Sequence, residues 1–174
     1  MMKNFLIISL MLTFAIFAQG QINYNNRSFL KDVDNFCQGS KLSELSKKSN
    51  LFNGKFFKIS GNESVKGFAY VGRVNSCRSN GCSIASNKDE GFEYFDYYAI
   101  FDTSKKIAKI SVFNYQATHG QEVTAKSWLK QFLGYNGTKK LVVGKNIDGI
   151  SGATISTNAL TTNIQEVMKQ LQQY

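Results

Sequence analysis

A segment close to the C-terminus combines small residues with hydroxyl-bearing ones, directly before a predicted amphipathic helix. It reads Asp148-Gly149-Ile150-Ser151-Gly152-Ala153-Thr154 and continues with Ile155-Ser156-Thr157. Backbone N–H groups at the start of a helix are unpaired and the helix dipole is positive there, so both favour a phosphate group. Two glycines allow the backbone to approach such a group closely. The pattern predicts a phosphate-binding turn, and ordinary capping of the helix by Ser and Thr is the alternative.

Residues 148–157 also resemble the site at which flavin transferases attach FMN, which has the pattern Asp-x-x-Ser-Gly-Ala-Thr followed by Ser or Thr. The family is the FMN-binding domain found in the flavoprotein subunits of the sodium-translocating NADH:quinone reductase and of the Rnf complex. This resemblance implies covalent FMN as the cofactor, joined by a phosphoester to Thr154. It also implies an FAD- and Mg-dependent flavin transferase, which supplies the base and metal because an unperturbed threonine hydroxyl is a poor nucleophile. AMP would leave, and Asp148 would be recognised by that enzyme.

The resemblance extends to the loop Gln116–Gly120, which is similar to a Glu-Thr-Pro-Gly loop that lines the flavin in relatives. Thr118 and Gly120 match, whereas Ala117 replaces the glutamate and His119 replaces the proline. His119 is the only histidine, and it could lie beside the flavin, stabilise the loop or ligate a metal. No nucleophile–base pair or pair of carboxylates predicts a catalytic residue. The predicted cofactor-binding residues are Thr154, Asp148, Ser151, Gly152, Ala153, Ser156, Thr157, Thr118, His119 and Gly120.

The N-terminus is typical of a signal peptide. Lys3 precedes an apolar stretch from Phe5 to Phe17, and Ala18-Gln19-Gly20 provides small residues before a predicted cleavage at Gln21. An uncleaved membrane anchor is the alternative, although the apolar run is shorter than the ~20 residues that a spanning helix needs. We therefore expect an exported protein, periplasmic or on the outer face of the cytoplasmic membrane.

The three cysteines could form a disulfide or bind a metal. An exported protein allows a disulfide, and the tight loop between Cys77 and Cys82 favours that pair, leaving Cys37 free; pairing of Cys37 with either one is the alternative. A zinc set would need all three cysteines and His119 at irregular spacing, so no metal is predicted.

The formal net charge is +9, but the lysine doublets are scattered. Together with export, this argues against nucleic acid as a partner.

Hydrophobic periodicity predicts an α+β fold, in which an antiparallel sheet of hairpins is packed by two or three helices and the C-terminal helix follows the attachment turn. In the predicted strand 107–115 it places Ile110, Val112 and Asn114 on one face and Lys109, Ser111, Phe113 and Tyr115 on the other. Helices are predicted over 28–37, 41–48 (weaker), 124–133 and 158–171, and strands over 56–60, 65–74, 94–101, 107–115 and 141–143.

Three segments are predicted: a signal peptide (1–20), an N-terminal helical segment (21–50) and an FMN-binding domain (51–174). The function that follows from the resemblance is an exported, membrane-associated flavoprotein that relays electrons between membrane or periplasmic redox proteins. Two alternatives are a small periplasmic FMN-dependent reductase that acts directly on a substrate and a secreted binding module without flavin.

Overall fold

A computed structural model describes residues 20–46, 53–62, 64–78 and 92–174, with only the backbone at positions 77, 78 and 92. One antiparallel sheet runs in the order β1-β2-β3-β4-β5, and the predicted α+β class is confirmed. The strands are β1 (Lys41–Glu44), β2 (Gly54–Gly61), β3 (Ser64–Arg78), β4 (Phe92–Phe101) and β5 (Ile107–Tyr115). The helices are α1 (Arg27–Phe36), α2 (Lys126–Leu129) and α3 (Thr154–Leu171), with 3-10 turns at Gln121–Thr124 and Lys130–Phe132.

The central strands bury both faces because their side chains alternate between two hydrophobic cores. Phe95, Tyr97 and Ala99 of β4 lie in the core beneath α3. Tyr98 and Ile100 lie in the second core, on the opposite face, with Phe29 and Val33 of α1. The predicted hairpins 56–74 and 94–115 are confirmed, because β2 pairs with β3 and β4 pairs with β5, both antiparallel. Helices cover both faces of the sheet.

The apolar stripe predicted for the C-terminal helix is confirmed. Leu160, Ile164, Val167, Met168 and Leu171 are all buried. The helix begins at Thr154, four residues before the predicted start at Asn158. The first predicted helix is also observed, and Asn26 caps it by accepting hydrogen bonds from the N–H groups of Ser28 and Phe29.

The weak helix predicted over 41–48 is wrong where the structure describes it. Residues Lys41–Glu44 form an edge strand in which Lys41 pairs with Ser60 of β2 and Glu44 with Phe57. Leu42 packs against the core beneath α1. Strand pairing and burial of Leu42 decide the conformation here, overriding a marginal helical pattern.

Two other predicted elements are broken up. The helix predicted over 124–133 is a short α2 flanked by two 3-10 turns, although Trp128, Leu129 and Phe132 are buried as expected. Gly134 ends this segment with a φ of +78°. The strand predicted over 141–143 is reduced to a single bridge between Val143 and Ile147, since the chain turns immediately after Val143.

The predicted alternation in β5 fails at its C-terminal end because of a β-bulge. Asp96 pairs with Asn114, whereas the next residue, Tyr97, pairs with Val112, so Phe113 is the extra residue. Tyr115 therefore packs with Val112 against the core beneath α3, and the Asn114 amide donates a hydrogen bond to Asp96 on the other face. The prediction that Tyr115 shares a face with Phe113 is wrong.

Several predictions fall on residues outside the described ranges. Nearly all of the predicted signal peptide, positions 1–19, lies there, as does Cys82. The Cys77–Cys82 disulfide thus stays a prediction, while Cys37 has a free thiol in the described part of the chain. Among the described helices, none is long and apolar enough to span a membrane. Within the same ranges, no three His, Cys, Asp or Glu side chains are grouped as metal ligands.

Candidate functional site

The predicted attachment turn ends at an uncapped helix start. Thr154 is the first residue of α3 and is exposed, and the N-cap residue Ala153 makes no side-chain hydrogen bond to the N–H groups of the first turn. Gly152 has a φ of +80°, and a Cβ added there would meet nothing within 4 Å. The free N–H groups and positive dipole end of an 18-residue helix thus lie beside a hydroxyl and open space, which suits a phosphate group.

The beginning of the turn is fixed through the backbone of Asp148. The indole Nε1 of Trp128 donates a 2.8 Å hydrogen bond to the Asp148 carbonyl oxygen. The Asp148 N–H donates to Oε1 of Gln131, also at 2.8 Å. Both backbone groups of Asp148 are therefore paired with the α2 region, while the residue itself remains exposed. Trp128 thus has a positioning role as well as a place in the core.

The predicted hydroxyls divide into outward and inward groups. Ser151 and Thr154 are exposed, whereas Ser156 and Thr157 are only 2% and 0% exposed. The Thr157 hydroxyl donates to the carbonyl oxygen of Thr154 at 2.9 Å. Because a buried hydroxyl that is already paired is poorly placed to meet a ligand, Ser151 and Thr154 are the side chains of this set that reach solvent.

Ser156 joins three elements beneath the start of α3. Its Oγ lies 2.7 Å from Oγ of Ser76 in β3 and 3.3 Å from the hydroxyl of Tyr115 at the end of β5. Tyr115 stacks on Phe95 with ring centroids 5.6 Å apart and 15° between the ring planes. Burial raises the pKa of Tyr115 above its usual value, and the hydrogen bond with Ser156 acts in the opposite direction. The phenol therefore stays protonated as a hydrogen-bond donor.

The second predicted segment lies against the same helix turn. Tyr115 donates its hydroxyl to the carbonyl oxygen of His119 at 2.5 Å. Gly120 is buried with a φ of +86°, and a Cβ there would lie 2.8 Å from Oγ of Ser156 and 3.4 Å from Cα of Ala153. The structure thus brings the loop 118–120 and the turn 151–156 together at one end of the sheet.

The exposed part of that loop carries two of the predicted residues. Thr118 donates its hydroxyl to the carboxylate of Glu93 in β4. His119 is exposed, and among the described residues its polar contact is the hydrogen bond that its carbonyl oxygen accepts from Tyr115. The Thr118 hydroxyl therefore already has a partner in the sheet, whereas His119 is exposed to solvent beside the turn.

A polar groove of about 430 Å³ begins one helical turn beyond Thr154. Asn158, Thr162 and Glu166 follow Thr154 at four-residue spacing, so they share one face of α3. Across the groove lie Arg73 and Asn75 of β3. Its amide side chains offer both donors and acceptors, which suits a ligand with polar groups of both kinds.

Sequence reasoning missed the residues that position the site. Ser76 and Glu93 lie in strands far from the motif in sequence, and nothing in their local pattern indicates a role. Tyr115 was placed on the wrong face because of the bulge. Gln131 could have been found, since it follows Trp128 by three residues and helical spacing therefore places the two side chains close together.

Comparison with known proteins bears directly on this end of the molecule. Residues 96–169 match the family model of the FMN-binding domain. The matched segment contains every residue of the predicted cofactor-binding set, from Thr118 to Thr157. A search of curated proteins found no match to the chain.

Proposed function

We propose that this chain is a flavin-binding protein that carries its FMN covalently on Thr154, because residues 96–169 match the family model of the FMN-binding domain. The observation that carries this proposal is the placement of Thr154. Its side chain is exposed at the uncapped start of α3, next to the open space above Gly152. Ser151 and the backbone N–H groups of the first helical turn would hold the phosphate.

Attachment to Thr154 is a phosphoryl transfer. The Thr154 oxygen forms a bond to the flavin-side phosphorus of FAD, the pyrophosphate P–O bond breaks, and AMP leaves. The hydroxyl proton passes to a base on the FAD- and Mg-dependent flavin transferase. Asp148 is exposed, with its backbone fixed by Trp128 and Gln131, so its carboxylate can be recognised by that enzyme while the turn keeps its shape.

The proposed role is electron relay between membrane or periplasmic redox proteins. Bound FMN supplies one- and two-electron redox chemistry. This chain contributes an exposed attachment point, which leaves the cofactor accessible to partner proteins, and a rigid end of the sheet made by the Ser156, Tyr115 and Gly120 contacts. The N-terminal sequence pattern supports export as part of the same proposal.

Coexpression with a flavin transferase tests this function. The purified protein should be yellow and should retain flavin fluorescence on a denaturing gel. After reduction with dithionite it should pass its electrons to ferricyanide in proportion to its flavin content, with no turnover of NADH. Steady NADH oxidation without a partner protein would instead favour a direct reductase. A colourless product despite an active transferase would favour a binding module.

A further inference from the structure

A second cavity, of about 440 Å³, opens along the outer edge of the sheet. Its walls come from α1, from the edge strand β5, and from α2 with the 3-10 turn that follows it. None of the residues lining it belongs to the turn 148–157 or the loop 116–120. Its volume lies within the range of roughly 300–1,000 Å³ that is usual for small-molecule sites.

The lining of this cavity carries a large excess of positive charge. Three lysines, Lys109, Lys126 and Lys130, face a single carboxylate, that of Asp32. Asp32 is already paired, because Nζ of Lys109 lies 3.3 Å from its Oδ2 and the Tyr98 hydroxyl donates to the same oxygen at 2.7 Å. The remaining two lysines, Lys126 and Lys130, make no ion pair with any described residue.

The spacing of the two unpaired lysines places like charges close together, which does not stabilise the fold. They are four residues apart, and the Lys130 N–H donates to the Lys126 carbonyl oxygen, so both lie on one side of the same helical turn. Like charges at this spacing destabilise a helix. An anion between the two ammonium groups would convert this repulsion into attraction.

The floor of the cavity is apolar. Ile110 and Leu129 are buried there, and Leu133 contributes a side chain that is 46% exposed. An exposed leucine beside these two unpaired lysines suits a ligand that has both an anionic group and a hydrophobic body. A bare inorganic anion would leave this apolar surface in contact with water.

We propose that this cavity binds a small organic anion, with a carboxylate or phosphate held between Lys126 and Lys130 and an apolar body against Leu129 and Leu133. The paired Asp32, Lys109 and Tyr98 form the opposite wall and keep their own hydrogen bonds. This site is independent of the proposed attachment of FMN at Thr154.

Saturation-transfer NMR with benzoate and phenyl phosphate tests the proposal on the purified full-length protein. Both probes should bind saturably and compete with each other, while benzyl alcohol, which has no charge, should bind much more weakly. The double variant Lys126→Gln/Lys130→Gln should lose roughly tenfold or more in affinity, because two charge-assisted hydrogen bonds are removed. The matched control Lys139→Gln/Lys140→Gln changes two exposed lysines outside the cavity and should bind normally.

Two results would overturn the proposal. One is probe binding that survives in the Lys126→Gln/Lys130→Gln variant, which would place the anion elsewhere, including the start of α3. The other is no probe binding together with cosedimentation on phosphatidylglycerol vesicles that the same variant abolishes, which would assign the two lysines to a membrane surface. Circular dichroism of each variant establishes that the fold is intact in every case.

Discussion

The hydroxyl of Ser156, in the first turn of α3, lies 2.7 Å from the hydroxyl of Ser76 in β3. These residues are 80 positions apart in sequence, and their contact joins the start of the helix that carries Thr154 to the central strand of the sheet. Tyr115 adds a third hydroxyl at 3.3 Å from Ser156. The turn that ends at Thr154 therefore rests on a small, partly buried hydrogen-bond cluster.

Replacing Ser156 with alanine should lower the free energy of unfolding by about 1–2 kcal/mol, because Ser76 and Tyr115 would lose a buried partner. Urea unfolding of the purified protein measures the change. Thr162→Ala, at an exposed position of the same helix, is the matched control and should change stability by less than about 0.5 kcal/mol. Equal losses in the two variants would show that the cluster contributes nothing.

The Gln131→Met substitution should loosen the turn at Asp148 while keeping the volume of the side chain. It removes the acceptor of the Asp148 N–H, which is bonded to Oε1 of Gln131 at 2.8 Å. The Asp148 amide should then exchange its hydrogen roughly tenfold faster, the change expected for losing about 1.4 kcal/mol of local protection. Native-state hydrogen exchange measures this rate, and an unchanged rate at Asp148 would contradict the proposed positioning role of Gln131.

Gly120→Ala should be more damaging than Gly134→Ala. Both glycines have a left-handed φ, +86° and +78°, so each substitution costs about 1–2 kcal/mol in backbone strain. A Cβ at Gly120 would also lie 2.8 Å from Oγ of Ser156, whereas one at Gly134 would meet nothing within 4 Å. We expect an additional loss of about 1–3 kcal/mol at Gly120 from crowding. Thermal unfolding of the two variants compares them, and equal losses would contradict tight packing of the loop on α3.

Stability should fall as the pH rises above about 10, the ordinary pKa of tyrosine. Burial raises the pKa of Tyr70, Tyr97 and Tyr98 well above this value in the folded protein. In the unfolded chain the same phenols ionise near pH 10, so the stability that their neutral forms contribute is fully present below that pH. It is then lost as the pH rises towards the folded pKa values, by up to about 1.4 kcal/mol per pH unit for each tyrosine.

Urea unfolding between pH 8 and pH 11, combined with tyrosinate absorbance, checks this sign. These three tyrosines should ionise only as the protein unfolds, whereas exposed tyrosines ionise in the native state. Complete tyrosinate formation near pH 10 with no loss of unfolding free energy would contradict the burial of these phenols.

The strongly patterned parts of the fold could be predicted from the sequence. The run from Tyr94 to Tyr115 is rich in aromatic and β-branched residues around a polar turn, and it forms the predicted hairpin. The edge strand Lys41–Glu44 could not be predicted, because four residues with one half-buried leucine are stabilised by pairing with β2 and not by local propensity. The bulge at Phe113 likewise depends on register against β4.

The turn before α3 could also be predicted, but the orientation of its hydroxyls could not. Because the sequence predicts that α3 begins at Asn158, Ser156 and Thr157 fall outside the predicted helix, where their hydroxyls could meet a ligand. The observed start at Thr154 adds both residues to the buried stripe, three and four positions before Leu160. Extending the predicted buried stripe from Leu160 towards the N-terminus would have indicated that both hydroxyls are buried. The contacts with Ser76 and Glu93 depend on tertiary structure and carry no local signal.

The intact mass of the protein coexpressed with a flavin transferase tests the central claim most directly. The wild type should gain the mass of one FMN less one water, and Thr154→Ala should gain nothing. Thr162→Ala, which removes another exposed threonine hydroxyl from α3, should gain the same mass as the wild type. A gain that persists in Thr154→Ala, or no gain in any of the three proteins alongside an active transferase, would contradict covalent attachment at Thr154.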